Sequence, residues 1–313
     1  MYSCVLVPLD GSALAAQVLP YAEMVARSTG ATVLLLRVMN PYPGELVRGG
    51  MRTFRESHDA GGELPSSEEW EDLLSRINSD AEAYLEEMAS SIRSDGVTVE
   101  TAVKDGDPAD CILEEADKDA GTLIAMTTHG RSGVGRWLLG SVTDKMVRSG
   151  RHPMLITRAQ EGGAHPVNRV LLTLDGSELS EQALPHAVEM AKALGVGVTV
   201  LRAVSLNPYG EAFTEYAPVQ RSEDLAGEME IEAQGYVSGK VQEVQSAGVA
   251  DVTGSVVTGY PASVILDEVG EAGDKLVTMA THGRAGVARL LLGSVTDRVV
   301  RHSEGPVFVI RPQ

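Results

Sequence analysis

The sequence predicts an α/β protein made of two consecutive copies of one sandwich, each a five-stranded, mostly parallel sheet with helices on both faces. Three observations carry this. Long segments recur: VLVPLDGSALAAQVLPYA (Val5–Ala22) returns as VLLTLDGSELSEQALPHA (Val170–Ala187), and THGRSGVGRWLLGSVTD (Thr128–Asp144) returns as THGRAGVARLLLGSVTD (Thr281–Asp297). Asp119–Arg158 laid on Ala272–Arg311 gives 20 identities in 40 positions without a gap. Within each copy, near-continuous apolar runs of strand length alternate with stretches of helical spacing, the pattern of a parallel sheet covered on both faces.

In the first copy the strand candidates are 4–9, 32–39, 97–104, 122–128 and 153–157. Between the first two, Val18, Ala22, Val25 and Ala26 keep helical spacing up to Gly30, a residue suited to closing a helix, as Gly195 is in the second copy. Pro20 and Pro185 fall inside this stretch. A proline in a helix interior costs ~3 kcal/mol, so a kink or a late helix start is expected. Asp107-Pro108 supplies an N-cap acceptor followed by a proline at the first helical position. The offset between copies shrinks from 165 to 153, which puts the first copy's extra residues between Tyr42 and Met88. Residues 44–67 there are polar and glycine-rich and read as a long or mobile loop, and the acidic Glu68–Leu74 reads as a solvated helix face. Ala159–Asn168 reads as the linker, giving units 1–160 and 161–313.

Composition narrows the function classes. The 313 residues are 43% hydrophobic and 22% charged, with a net charge of −18. That charge argues against sequence-independent grip on nucleic acid, which needs cationic side chains to neutralise phosphates. Cys4 and Cys111 are too few for a disulfide framework and read as small apolar packers in a reducing compartment. Met1 leads straight into a strand-like run, and no apolar run approaches the ~20 residues of a membrane helix. A cytoplasmic protein without membrane or nucleic-acid partners is the expectation.

The recurrent glycine-punctuated stretch carries the chemistry. It leaves the fourth strand at its carboxyl end, the edge where open α/β sheets place ligands, and runs into a helix start. Gly130, Gly133 and Gly140 are read as permitting positive φ and close backbone approach, and Ser141–Asp144 (again Ser294–Asp297) as a capping box. A glycine loop feeding a helix N-terminus presents amides and a positive dipole end to phosphate. There is no GxxxxGK[ST], and no GxGxxG follows the first strand. Asp10 and Asp175, in Leu-Asp-Gly-Ser, end the first strand of each copy, either as ligand contacts or as plain Asx turns. Arg131 and Arg284 either clamp phosphate or solvate the loop. His129 and His282 have no partners at metal-ligand spacing and read as loop hydrogen-bonders, so no metal site is expected.

Both copies resemble the universal stress protein family, over nearly all of each. The resemblance rests on Gly130 followed by nine residues and Gly140-Ser141, repeated as Gly283, nine residues and Gly293-Ser294. It implies tandem Rossmann-like folds of the adenine nucleotide alpha hydrolase-like type, binding ATP, ADP or AMP with Mg2+ as the accompanying ion, in a stress-response regulator that acts through a protein partner not named by the sequence. Carried over by position, Asp10 and Asp175 meet the adenosine, beside Pro8 in one copy and Thr173 in the other. Val38 and Ala203 line the base pocket, and Met126 and Met279 close it. Gly130, Arg131, Gly140 and Ser141 hold phosphates in one copy, and Gly283, Arg284, Gly293 and Ser294 in the other. Val142 and Thr143, with Val295 and Thr296, add amides. The first glycine of the family motif is replaced by Thr127 and Ala280, which favours the alternative, a family member that binds no nucleotide and acts as an interaction module. Family members often pair through their last strands, so PMLIT (153–157) and PVFVI (306–310) are expected to meet, making a pseudo-dimer inside one chain; a homodimer can build on that. No catalytic set is assigned, and slow ATP hydrolysis stays open.

Overall fold

The computed structural model describes residues 2–39, 67–93, 96–128, 139–158, 164–205, 223–281 and 293–312. The first copy runs β1 (Cys4–Pro8), α1 (Ala13–Ala16), α2 (Leu19–Thr29), β2 (Thr32–Met39), α3 (Ser67–Ile92), β3 (Val99–Asp105), α4 (Pro108–Ala116), β4 (Thr122–Thr127), α5 (Ser141–Ser149) and β5 (Met154–Thr157). The second repeats it: β6 (Arg169–Thr173), α6 (Glu178–Glu181), α7 (Leu184–Leu194), β7 (Gly197–Val204), α8 (Glu223–Ser246), β8 (Val252–Thr258), α9 (Pro261–Val269), β9 (Lys275–Ala280), α10 (Ser294–His302) and β10 (Val307–Ile310).

Pro20 and Pro185 explain why each copy opens with a short helix and then a longer one. Ser12 Oγ accepts from the Ala15 amide and caps α1; the chain then restarts as α2, with Pro20 in its first turn, where a missing N–H costs nothing. Ser177 and Pro185 repeat the device in α6 and α7. Gly30 and Gly195 end α2 and α7 at φ +76° and +68°, the left-handed conformation that glycine adopts without a Cβ penalty. Asp107 caps α4 through the amides of Ala109 and Asp110, ahead of Pro108. The loop reading for residues 44–67 is corrected at its end, since Ser67 already begins the 26-residue α3; residues 44–66 lie outside the described residues. Within α3, Asp72 and Leu74 are exposed, as a solvated face requires.

The two copies share one sheet of ten strands, ordered β3-β2-β1-β4-β5-β10-β9-β6-β7-β8. All neighbours are parallel except β5 and β10, which pair antiparallel with Leu155 opposite Phe308. The expected meeting of the last strands is thus a continuous sheet. Alternation along the strands sends Val5, Val7, Val33, Leu35, Val170 and Val200 to a core under α2, α3, α7 and α8. Leu6, Leu36, Ile124, Leu171 and Val277 go to a second core under α4, α5, α9 and α10. Each core draws on both copies. At the seam, Phe308 is fully buried and meets the rings of Tyr2 and His186 edge-on. The Arg158 guanidinium pairs with Glu304, and Arg311 donates to the carbonyls of Arg148 and Gly150 at the end of α5. The described part of the linker is tied down, with the His165 amide donating to the Tyr21 hydroxyl at 2.9 Å.

Candidate functional site

The strand order fixes where a ligand crevice can lie. From β1 the chain winds outward through β2 and β3, then returns to add β4 and β5 on the other side. The winding reverses between β1 and β4, and again between β6 and β9, so the crevices of an open α/β sheet fall at those carboxyl ends. Pro8 ends β1 beside Leu36, and the Leu9 amide donates to the Leu36 carbonyl, carrying Asp10 just past the sheet edge. Thr173, Leu174 and Asp175 repeat this against Leu201. Asp10 Oδ1 accepts from the Ser12 amide at 2.9 Å and its hydroxyl at 2.6 Å; Asp175 does the same with Ser177. Both are therefore Asx turns that aim the following helix.

Met126 and Thr127 finish β4, and Met279 and Ala280 finish β9; all four are buried. Val38 and Ala203, near the ends of β2 and β7, point to the same core as the two methionines. Alternation along neighbouring strands thus gathers the base-pocket candidates on one face of the sheet, beneath α4 and α9.

The helix starts come next. Gly140 and Gly293 are the N-cap residues of α5 and α10, so the capping box placed at Ser141 and Ser294 is wrong by one residue. With Ser141 and Ser294 already helical, Asp144 and Asp297 turn away to pair with Arg148 and Arg301 at i,i+4. Hydrogen bonding to these carboxylates pushes both guanidinium pKa values up, and each arginine also feels the other copy's carboxylate across the seam. Among the described residues this leaves both helices without a side-chain cap and places a counter-charge over the one acid in the first turn.

The glycines also act differently from expectation. Gly140 and Gly293 sit at φ −58° and −59°, so no left-handed backbone is involved. Their amides donate to the carbonyls of Thr128 and Thr281 at 2.8 and 3.0 Å. A Cβ on Gly293 falls 2.8 Å from the Thr281 carbonyl oxygen, so glycine is required there by the protein's own backbone. Thr143 and Thr296 are buried, and their hydroxyls donate inward to the carbonyls of Thr127 and Ala280. Their amides, with those of Ser141, Val142, Ser294 and Val295, head the helices. Gly130, Arg131, Gly283 and Arg284, like His129 and His282, lie outside the described residues.

The match to known proteins covers this whole arrangement. The model of the universal stress protein family matches twice, over residues 1–158 and 166–311. The chain belongs to the universal stress protein family. A universal stress protein of Mycolicibacterium smegmatis is 30% identical over 226 residues, 70% of each chain. One of Methanocaldococcus jannaschii is 27% identical over 149 residues, 48% of this chain and 85% of its own. The crystal structure of a universal stress protein from Archaeoglobus fulgidus shares the fold at a TM-score of 0.66 and 21% identity, covering 98% of both chains.

Two residues that sequence reasoning passed over stand beside the family positions. Arg37 and Arg202, each one residue before Val38 and Ala203, are buried. Arg37 donates to the Leu9 carbonyl at 3.3 Å with its guanidinium 5.8 Å from the Tyr84 ring centroid. Arg202 takes a two-pronged hold on Glu232 and lies 4.9 Å from the Tyr236 ring. The signal was available: an arginine recurs at the same place in two otherwise apolar strands. Among the described residues no His, Cys, Asp and Glu cluster could hold a metal ion.

Proposed function

We propose that this chain is a stress-response regulator that binds adenine nucleotide, as ATP, ADP or AMP, in one or both copies and changes its contacts with a protein partner accordingly. The observation that carries the reading is the paired helix start. In both copies a helix with no side-chain cap among the described residues is pinned at the carboxyl edge of the strand that flanks the winding reversal. Amides and a dipole end so placed favour phosphate. The Gly140-Ser141 and Gly293-Ser294 pairs of the family motif stand there. Met126 with Val38, and Met279 with Ala203, provide an apolar surface for the base. Asp10 and Asp175, just past the ends of β1 and β6, would meet the ribose or a Mg2+ accompanying the phosphates.

A cytoplasmic location belongs to the same reading. It is supported by the free Cys4 and Cys111 and by the absence, among the described residues, of any helix long and apolar enough to cross a membrane. The second reading, an interaction module without nucleotide, rests on Thr127 and Ala280, where the family motif has glycine. Mass spectrometry of small molecules released from freshly purified full-length chain decides between them. Stoichiometric adenine nucleotide supports the first reading. Protein that carries none, and that shows no heat on titration with ATP, ADP or AMP, establishes the second.

A further inference from the structure

Two copies of one unit have four edge strands between them, and this chain treats the four differently. β5 and β10, Met-Leu-Ile-Thr and Val-Phe-Val-Ile, carry no charge and pair with each other. β3, at one end of the ten-stranded sheet, carries Glu100, Lys104 and Asp105. β8, at the other end, is its repeat equivalent and carries Thr253, Val257 and Thr258 at those three positions. All three charges of one terminal strand are therefore missing from the other. Charged side chains on an edge strand are the usual guard against pairing with another chain, because docking a second strand would bury them.

Among the described residues β8 has none of the other guards either. It is seven residues long, contains no proline and stays in unbroken register with β7 from Val252 to Thr258. Val257 is 36% exposed, and Thr253, Gly254 and Thr258 are exposed beside it. At Gly254 the lack of a side chain admits Val237 and Val241 of α8, which a Cβ would meet. Among the described residues no strand pairs with its outer side.

We propose that β8 is a self-association edge, at which the β8 strands of two chains pair antiparallel about a two-fold axis and join two ten-stranded sheets. The occupant is argued from charge and symmetry. A chain of net charge −18 repels a second copy over most of its surface, so self-association needs a strip without charge. β8 has no charged residue of its own from Val252 to Thr258, the Arg169–Asp251 ion pair lying at its start, and a strand is its own antiparallel partner under a two-fold axis. The same chain already joins its other two uncharged edges in this way at β5 and β10. The inference is independent of nucleotide binding.

Sedimentation velocity of the full chain across the micromolar range tests it, with Val257→Lys, which installs the residue that β3 has at the equivalent position, and Val257→Ala as the uncharged control. The expected result is a wild-type species approaching twice 33.1 kDa. Val257→Lys should associate about tenfold more weakly or not at all, and Val257→Ala should stay dimeric. Thermal melts monitored by circular dichroism check that the lysine variant is folded, as the exposure of Val257 implies. A wild-type chain that is monomeric throughout overturns the proposal. So does a dimer that Val257→Lys leaves intact.

Discussion

The Thr143 hydroxyl donates to the carbonyl of Thr127 at 3.0 Å, tying the first turn of α5 to the last residue of β4. Thr296 repeats the contact with Ala280 at 3.1 Å. These bonds, with the amides of Gly140 and Gly293 on the next carbonyls, hold each helix start against the sheet edge. Thr143→Val keeps the shape and removes this buried hydrogen bond, so it should cost about 0.5–1.5 kcal/mol in urea unfolding. Thr143→Ser should recover most of that loss. Equal midpoints for the valine variant and the wild type would show that the contact contributes nothing.

Gly293 is needed for packing as well as for any ligand. Because its Cβ would press on the Thr281 carbonyl oxygen at 2.8 Å, Gly293→Ala should destabilise the chain by about 1–3 kcal/mol even without nucleotide. A lowered melting temperature in nucleotide-free protein checks this. Loss of ATP binding in a Gly293 variant is therefore interpretable only beside that melt.

The shared sheet and shared cores predict that the two copies unfold together. Fluorescence and circular dichroism should report one coincident transition for the full chain. Phe308→Ala removes a fully buried ring from the seam and should cost about 3–5 kcal/mol. Two resolved transitions in the wild type would contradict the shared-core account.

Stability should fall on mild acidification. His186, whose Nδ1 lies 2.5 Å from the Tyr2 hydroxyl, is held below its ordinary pKa of 6.5, first by burial and less by the N-terminal charge, against the opposing pull of Glu189. A histidine with a lowered folded-state pKa binds its proton more readily when unfolded. Its contribution is therefore complete above 6.5 and is lost as pH drops through and below that value. His302, lowered by burial and by neighbouring arginines, acts in the same direction. Melting temperatures should decline from pH 7 toward pH 5, and His186→Gln should flatten the slope. An unchanged slope in that variant would remove His186 from the account.

If nucleotide binds, the second copy should hold it at least as tightly as the first. Thr127 places a β-branched side chain at the family's first glycine position, whereas Ala280 adds one methyl. The opposing loss, Val38 becoming Ala203 in the base pocket, slackens a contact without blocking it. Titration of ATP into full-length chains with Met126→Trp or with Met279→Trp, each filling one base pocket, separates the copies. Binding that survives Met279→Trp and disappears with Met126→Trp reverses the ranking.

The repeat, the alternation of apolar runs with helical spacing, and the caps at Asp107, Gly30 and Gly195 were all legible in the sequence, because each depends on residues within a few positions of one another. The family motif was legible too, since it is a spacing. What one residue to the left or right decides was not. Whether Gly140 or Ser141 caps α5 turns on where the helix meets the end of β4, a contact made across sixteen residues by Thr143. The same holds for glycine: sequence shows that Gly293 is small, but only packing shows that the Thr281 carbonyl is what it makes room for. Arg37 and Arg202 were passed over because only packing brings Tyr84 and Tyr236 over them from distant helices. The sequence by itself determined that there are two α/β units and what each contains. The family resemblance led to the expectation that the last strands meet, but tertiary structure decided that they do so as one continuous antiparallel-joined sheet: backbone edges pair through amides and carbonyls that every residue possesses, so register and direction lie in how whole units pack, which leaves β8 at the end of the sheet.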